Sequence, residues 1–275
     1  MPELPEVETV SRDLRKFCTG RSILDARVFD SRVIKNLSPR AFIRALKNKS
    51  IKQVTRRAKA IIITFDEGGF LVVQLGMTGH FIFGEKWLKG YGPKDVKVSF
   101  GLSGGERLFY LDQRMFGRLI AVDKLDEIPY LNTAGPEPLS MEFNSGCFGG
   151  AIKGRAAPIK NLLLNQNIVA GLGNIYASEI LFSAGVHPAR RADSLTETET
   201  VLICRHTKEI LKDAIRLRGT SMRNYRDSQG QKGGFLRRIR VYGRDGEPCC
   251  RCGGPIERIV QAGRSSFFCK NCQVM

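Results

Sequence analysis

The chain has 275 residues, 42% of them hydrophobic, and a formal net charge of +17 with a pI near 9.8. That length and apolar share suit a globular protein large enough for two domains, and no run of about 18 apolar residues offers a membrane span. The basic excess favours a polyanionic partner, nucleic acid above all, over an anionic membrane, because no basic amphipathic helix accompanies it.

The chain opens MPELPEVET. Pro5 suits a first helical turn, Glu6 and Glu8 suit the positive end of a helix dipole, and Val7, Val10, Leu14 and Phe17 fall on one helical stripe. Helix chemistry leaves Pro2 and Glu3 without a purpose. A secretion signal would carry Lys or Arg and an apolar core here, so a cytoplasmic location is expected.

A strand is expected near residues 22–29, then a short helix opening at Ser38-Pro39, an N-cap followed by proline. Residues 59–75 read as a hairpin, with apolar β-branched runs on either side of DEGG. VKVSF and RLFYL form a second hairpin around SGG, and RLIAV after Gly117 adds a further strand. The first part is thus mainly antiparallel sheet, a β-sandwich with flanking helices.

Three prolines and a glycine within residues 129–140 mark a boundary. Helices then follow around Leu162–Leu164, in GLGNIYASEILF and in LTETETVLICRHTKEILKDAIRL. The expected division is a sandwich domain over 1–130, a linker over 131–140, a helical domain over 141–236 and a finger over 237–275. The fold class is therefore α+β.

Within the helical domain, GLGN (171–174) allows close backbone approach, and the following helix N-terminus can receive an anion. Asn174 is a candidate cap and phosphate donor, and Lys160 a candidate charge at the same place; a plain capped helical hairpin reads the motif equally well. From Arg216 to Arg244 there are nine Lys or Arg and one acid, Asp227, interleaved with glycines. Such a segment suits ordering on nucleic acid, or else a solvated loop.

Eight cysteines are present, and five lie between Cys249 and Cys272. Cys249 and Cys252, then Cys269 and Cys272, make two C-x-x-C knuckles, which reads as one tetrahedral zinc site in preference to a redox dithiol pair. Cys250 is left outside that register. PIERIVQAGRSSFF between the knuckles reads as two short strands around a QAGR turn, too small to fold without the metal. Arg258 and Arg264, on this hairpin, are candidate phosphate contacts.

Together these residues resemble one family, the bacterial formamidopyrimidine-DNA glycosylases. PELPEVET, GMTG (76–79), DQRMFGR (112–118), GLGNIYASEILF and VYGRDGEPC with its following cysteines stand in family order through the whole chain. The resemblance implies a helix–two-turn–helix element across the GLGN region and a zinc-bound β-hairpin finger. It implies a bifunctional DNA glycosylase and AP lyase of base excision repair, acting on oxidised purines such as 8-oxoguanine and formamidopyrimidines in duplex DNA. A monomer in the bacterial cytoplasm, associated with the nucleoid, is expected.

It also gives Pro2 and Glu3 a purpose. With Met1 removed, the Pro2 secondary amine would be the nucleophile, and its Schiff base, an iminium with no proton to lose, stays cationic and withdraws electrons from the sugar. Glu3 would supply acid/base catalysis, Lys59 would hold the phosphate beside the lesion, and Glu6 would orient the N-terminus. Arg264 would serve at the catalytic phosphate. Met77, Arg114 and Phe116 match the three side chains that fill the space of an everted base, with Arg114 donating to the orphaned cytosine. The loop 220–234 resembles the segment that covers the everted base, with Thr220 and Ser221 as contacts. Arg218-Gly219 stands where two glycines are expected. The related endonuclease VIII group, which prefers oxidised pyrimidines, begins Pro-Glu-Gly-Pro and lacks the Met and Arg-x-Phe trio. A non-catalytic DNA-binding module would need neither Pro2, Glu3 nor Lys59.

Overall fold

The structure is a computed structural model that describes residues 2–88, 90–222 and 225–275. The expectation that Met1 is removed falls outside the described residues. The chain forms two compact units, one of residues 1–132 and 217–236, the other of 133–216 and 237–275. The segment 217–236, grouped with the helices on sequence grounds, packs with the N-terminal unit, and the finger packs with the helices.

The first unit begins with helix α1 (Leu4–Cys18), followed by β1 (Ile23–Val28) and α2 (Pro39–Leu46). Ser38 caps α2 by accepting the Ala41 amide, and Pro39 enters its first turn. Then come β2 (Ile51–Arg57), β3 (Ala60–Phe65), β4 (Phe70–Gln74), β5 (His80–Phe83), β6 (Val96–Leu102), β7 (Arg107–Leu111) and β8 (Arg118–Val122). They form two antiparallel four-stranded sheets, ordered β1-β6-β7-β5 and β2-β3-β4-β8.

The apolar core lies between these sheets. Ile61, Ile63 and Val73 from one sheet meet Phe81, Val98, Phe100 and Tyr110 from the other, and Val7, Val10 and Leu14 of α1 join them. Alternate residues of β3 and β4, Ala60, Ile62 and Val72, face a second cluster closed by Ile128 and Leu131, the latter on the short helix α3 (Pro129–Thr133). Both faces of β3 are covered, which is why its sequence is a continuous apolar run. Strands β2 and β5 have no counterpart in the sequence reading. β2 (IKQVTRR) buries only Ile51 and Val54, and β5 is four residues long.

The second unit contains α4 (Ser145–Ile152), α5 (Ile159–Leu164), α6 (Asn174–Ala184) and α7 (Glu197–Arg216), then the finger strands β9 (Glu257–Gln261) and β10 (Arg264–Phe268). α4 was not expected, its SGCFGGAI being glycine-rich, but Asn144 caps it by accepting the Cys147 amide. The buried Glu179 carboxylate of α6 accepts the amides of Arg240, Val241 and Tyr242 at 2.9–3.0 Å and so anchors the segment leading to the finger. No helix among the described residues is long and apolar enough to cross a membrane.

Candidate active site and nucleic-acid interface

Pro2 is buried immediately before α1, and Glu3 is the N-cap residue. Glu3 donates its amide to Glu6 Oε2 at 2.8 Å, while Glu6 Oε1 accepts the Thr220 amide at 2.7 Å. One buried carboxylate therefore ties the chain start to the 217–236 segment. Gly219, at φ +82°, makes the approach possible, since a Cβ there would lie 2.8 Å from Glu6 Oε1. Thr220 and Ser221 are both buried. The Ser221 hydroxyl donates to the Tyr225 carbonyl and accepts the Gly233 amide, each at 2.8 Å, so it shapes the loop.

Lys59 occupies the two-residue turn between β2 and β3, one position before the strand that the sequence placed it in. Ala58 in that turn has φ +52°. Lys59 is half-buried, and its amide donates to the Tyr130 hydroxyl at 3.1 Å.

Met77, Arg114 and Phe116 come together on two adjoining loops, and all three are exposed. The guanidinium of Arg114 lies 4.8 Å from the Phe116 ring centre. Met115, at φ +55°, turns inward onto the core and leaves its two neighbours facing out. Sequence reasoning missed what joins the loops. Fully buried Asp112 accepts the Thr78 hydroxyl at 2.5 Å and the Gly117 amide at 2.7 Å, and Thr78 Oγ1 accepts the Arg114 amide at 2.9 Å. Gly76 packs backbone to backbone against Phe116, where a Cβ would come within 2.5 Å. An acid closing the apolar strand RLFYL was the available signal.

In the second unit, one expectation needs correction. Asn174 does not cap α6. The N-cap is Gly173, and the Asn174 Nδ2 donates instead to the Ser265 carbonyl at 2.9 Å. Its Oδ1 is buried without a hydrogen-bond partner among the described residues. Lys160 shares that Ser265 carbonyl from within: it is 1% exposed, and its ammonium donates to the Ser265 carbonyl and Ser266 hydroxyl at 2.9 and 2.8 Å. A buried ammonium needs such acceptors to offset its desolvation.

Ser265 is thus a hub, since its hydroxyl also accepts Arg258 Nε at 3.0 Å. It stands next to Arg264, which is exposed at the start of β10. The turn between β9 and β10 has Ala262 at φ +47° and Gly263 at φ +71°, the paired positive angles that a two-residue hairpin favours.

The sulfurs of Cys249, Cys252, Cys269 and Cys272 all lie within 4.8 Å of one another. Two of the separations are 3.9 and 3.4 Å. Tetrahedral zinc with sulfurs at about 2.3 Å requires edges of about 3.8 Å, so the four residues fit that metal. Cys250 points to solvent. Beside the first knuckle, Arg251 donates to the carbonyls of Phe182 and Ser183 at 2.9 and 3.1 Å and stacks on the Phe182 ring, fastening the finger to the end of α6.

Comparison with known proteins accounts for this arrangement. The formamidopyrimidine-DNA glycosylase N-terminal domain matches residues 1–119, the H2TH domain of the same enzymes matches 134–226, and a zinc finger found in FPG and IleRS matches 246–274. A formamidopyrimidine-DNA glycosylase of Chloroflexus aggregans is 40% identical over 275 residues, 100% of this chain and 99% of its own. The chain belongs to the formamidopyrimidine-DNA glycosylase family. Another member, from Cereibacter sphaeroides, is 41% identical and is covered in full by 99% of this chain.

Among solved structures, the MutM (Fpg) protein of Thermus thermophilus superimposes with a TM-score of 0.88 at 41% identity, covering 99% of this chain and 98% of that one. A Lactococcus lactis FPG mutant in complex with DNA containing Fapy-dG gives 0.91 at 34% identity, with 99% of each chain covered. The family fold of N-terminal sheets, H2TH domain and zinc finger is therefore the fold of this chain, and its four cysteines form a structural zinc site.

Proposed function

We propose that this protein is a bifunctional DNA glycosylase and AP lyase that removes oxidised purines, 8-oxoguanine and formamidopyrimidines, from duplex DNA. The observation that carries this reading is the buried Pro2 at the head of α1, with Glu3 beside it and the Glu6 carboxylate bonded to both the Glu3 and Thr220 amides. Relatives and structural neighbours support it. One Lactococcus lactis Fpg is a complex with DNA containing an abasic site, and another with DNA containing Fapy-dG.

Once Met1 is removed, Pro2 presents a secondary amine. An α-amino group titrates at about 8, so a useful fraction is unprotonated and nucleophilic at neutral pH. The Pro2 nitrogen attacks C1′ of the damaged nucleotide, and the C1′–base bond breaks as the base takes up a proton. Glu3 moves protons at the sugar oxygen as the ring opens to the iminium. The cation acidifies the C2′ proton, and loss of that proton expels the 3′ phosphate. A second elimination expels the 5′ phosphate, and water then releases Pro2.

Lys59 holds the phosphate beside the lesion. In the other unit Arg264, Arg258 and Asn174 engage the backbone, and Lys160 acts from beneath by fixing the strand that carries Arg264. Met77, Arg114 and Phe116 occupy the space of the everted base, which costs a few kcal/mol to unstack. The loop beginning Thr220-Ser221 covers that base. The protein works as a monomer in the bacterial cytoplasm, at the nucleoid where its substrate lies.

Borohydride trapping on a duplex with 8-oxoguanine opposite cytosine, followed by mass mapping, tests the reading. The expected adduct is at Pro2 with Met1 absent. An adduct on a lysine would overturn the role of Pro2, and binding without adduct or strand cleavage would reduce the chain to a DNA-binding protein.

A further inference from the structure

Arg218, the residue that departs from the expected pair of glycines, bridges two carboxylates from a strained backbone position. Its backbone sits at φ +61°, a region that side-chain-bearing residues rarely adopt. Its guanidinium bridges two carboxylates: Nη2 donates to Asp13 Oδ2 on α1 at 2.6 Å, and Nε donates to Asp227 Oδ2 in the loop at 2.7 Å. Both acids are buried, at 7% and 1% exposed.

Each acid in turn organises backbone. Asp227 Oδ1 accepts the amides of Gln229 and Gln231 at 2.9 and 2.8 Å and so folds the 227–231 turn. Asp13 Oδ2 also accepts the Ser228 amide at 3.3 Å. Burial, with Asp227 adding to it, pushes the Asp13 carboxyl above its ordinary value even though Arg218 opposes the shift. Without the guanidinium, two buried like charges would face one another, and the turn would separate from α1 or take up a proton. Immediately after Arg218 come Gly219 and Thr220, the residues in contact with Glu6.

We infer that Arg218 is a positioning residue: by clamping Asp13 to Asp227 it sets the 217–236 loop on α1, with its Thr220 end against Glu6, and so determines how the everted damaged base is held for excision. This rests on the glycosylase reading above. An abasic site has no base to hold, so the clamp should govern base excision and leave AP-site cleavage almost untouched.

The test compares wild type, Arg218→Gly and Arg218→Lys on two duplexes, one with 8-oxoguanine opposite cytosine and one with an abasic site. Glycine adopts φ +61° without strain, and lysine keeps the charge but lacks the fork that reaches both acids. Arg218→Gly should slow single-turnover base excision about tenfold or more, on the scale at which a small misplacement acts, with abasic cleavage within about twofold of wild type. Arg218→Lys should fall between. Amide exchange at Thr220, Gln229 and Gln231 should quicken in Arg218→Gly whatever the activity. Equal losses on both duplexes, undiminished excision or unchanged exchange would each overturn the clamp. A wild-type chain that cleaves neither duplex would instead overturn the proposed function, and the exchange measurement would still decide on the clamp.

Discussion

Thr78 and Asp112 are joined by a 2.5 Å hydrogen bond that ties the segment bearing Met77 to the segment bearing Arg114 and Phe116. Thr78 also accepts the Arg114 amide, so a single hydroxyl bridges both loops. Thr78→Val keeps the volume and removes both bonds, leaving a buried carboxylate oxygen underserved. We expect a loss of about 1–3 kcal/mol in stability, by thermal or denaturant melting, and slower excision in single-turnover assays. Wild-type values of both would show that the loops hold themselves together by packing alone.

Arg264→Ala should weaken binding to damaged and undamaged duplex alike and cut activity strongly, because a phosphate contact carries no base information. Binding isotherms across salt concentrations should show the slope reduced by about one. Unchanged activity on the lesion would remove Arg264 from the proposed site.

Arg114→Ala should relax the preference for cytosine over adenine opposite the lesion, since Arg114 is the one polar member of the exposed trio. Parallel excision assays on the two duplexes measure this. An unaltered ratio would leave Arg114 with only its stacking contact to Phe116.

Removing the metal, by chelation or by Cys252→Ser, should unfold the finger, for which the four sulfurs are the main support. Metal analysis should fall from one zinc per chain to none, and DNA binding should fall with it. Circular dichroism and melting of the sheet-rich unit should change little. Retained DNA affinity in metal-free protein would contradict the finger's role.

Glu8 carries an acid-range dependence. Burial raises its carboxyl, but bonds from Arg12 at 2.7 Å and Arg56 at 2.9 Å, and their charges, outweigh that and hold it below its ordinary 4.5. A depressed folded value means that its stabilisation is full above the unfolded value and is lost as pH falls through the folded one. The melting-temperature gap between wild type and Glu8→Gln should therefore be constant near neutrality and shrink below about pH 4.5. A gap independent of pH would mean that Glu8 contributes through its packing.

What could be read in advance was local. Ser38-Pro39, the runs either side of DEGG, the paired C-x-x-C knuckles and the QAGR turn each announce their structure within a few residues. Strand β2 was hidden because only Ile51 and Val54 of its seven residues are buried, the pattern of a strand at the edge of its sheet. What Lys160 and Asn174 bind was hidden for a different reason. Their side chains answer to Ser265, about a hundred residues downstream, and nothing near 160 or 174 reveals that acceptor. Asp112 was missed likewise, because its partner Thr78 becomes a neighbour only when β5 pairs with β7 in the same sheet.

The contribution of residues 217–236 to the first unit bears on how this protein can be divided. The stretch that ends at residue 132 looks separable, yet Glu6 would lose the Thr220 amide, and Asp13 both Arg218 and the Ser228 amide. A gene fragment encoding 1–132 should therefore yield an ill-folded product, which supplying the later segment in trans, or fusing it by circular permutation, would rescue. The sheets and the loop are one object written in two instalments, with the helices of residues 133–216 inserted between them as a guest.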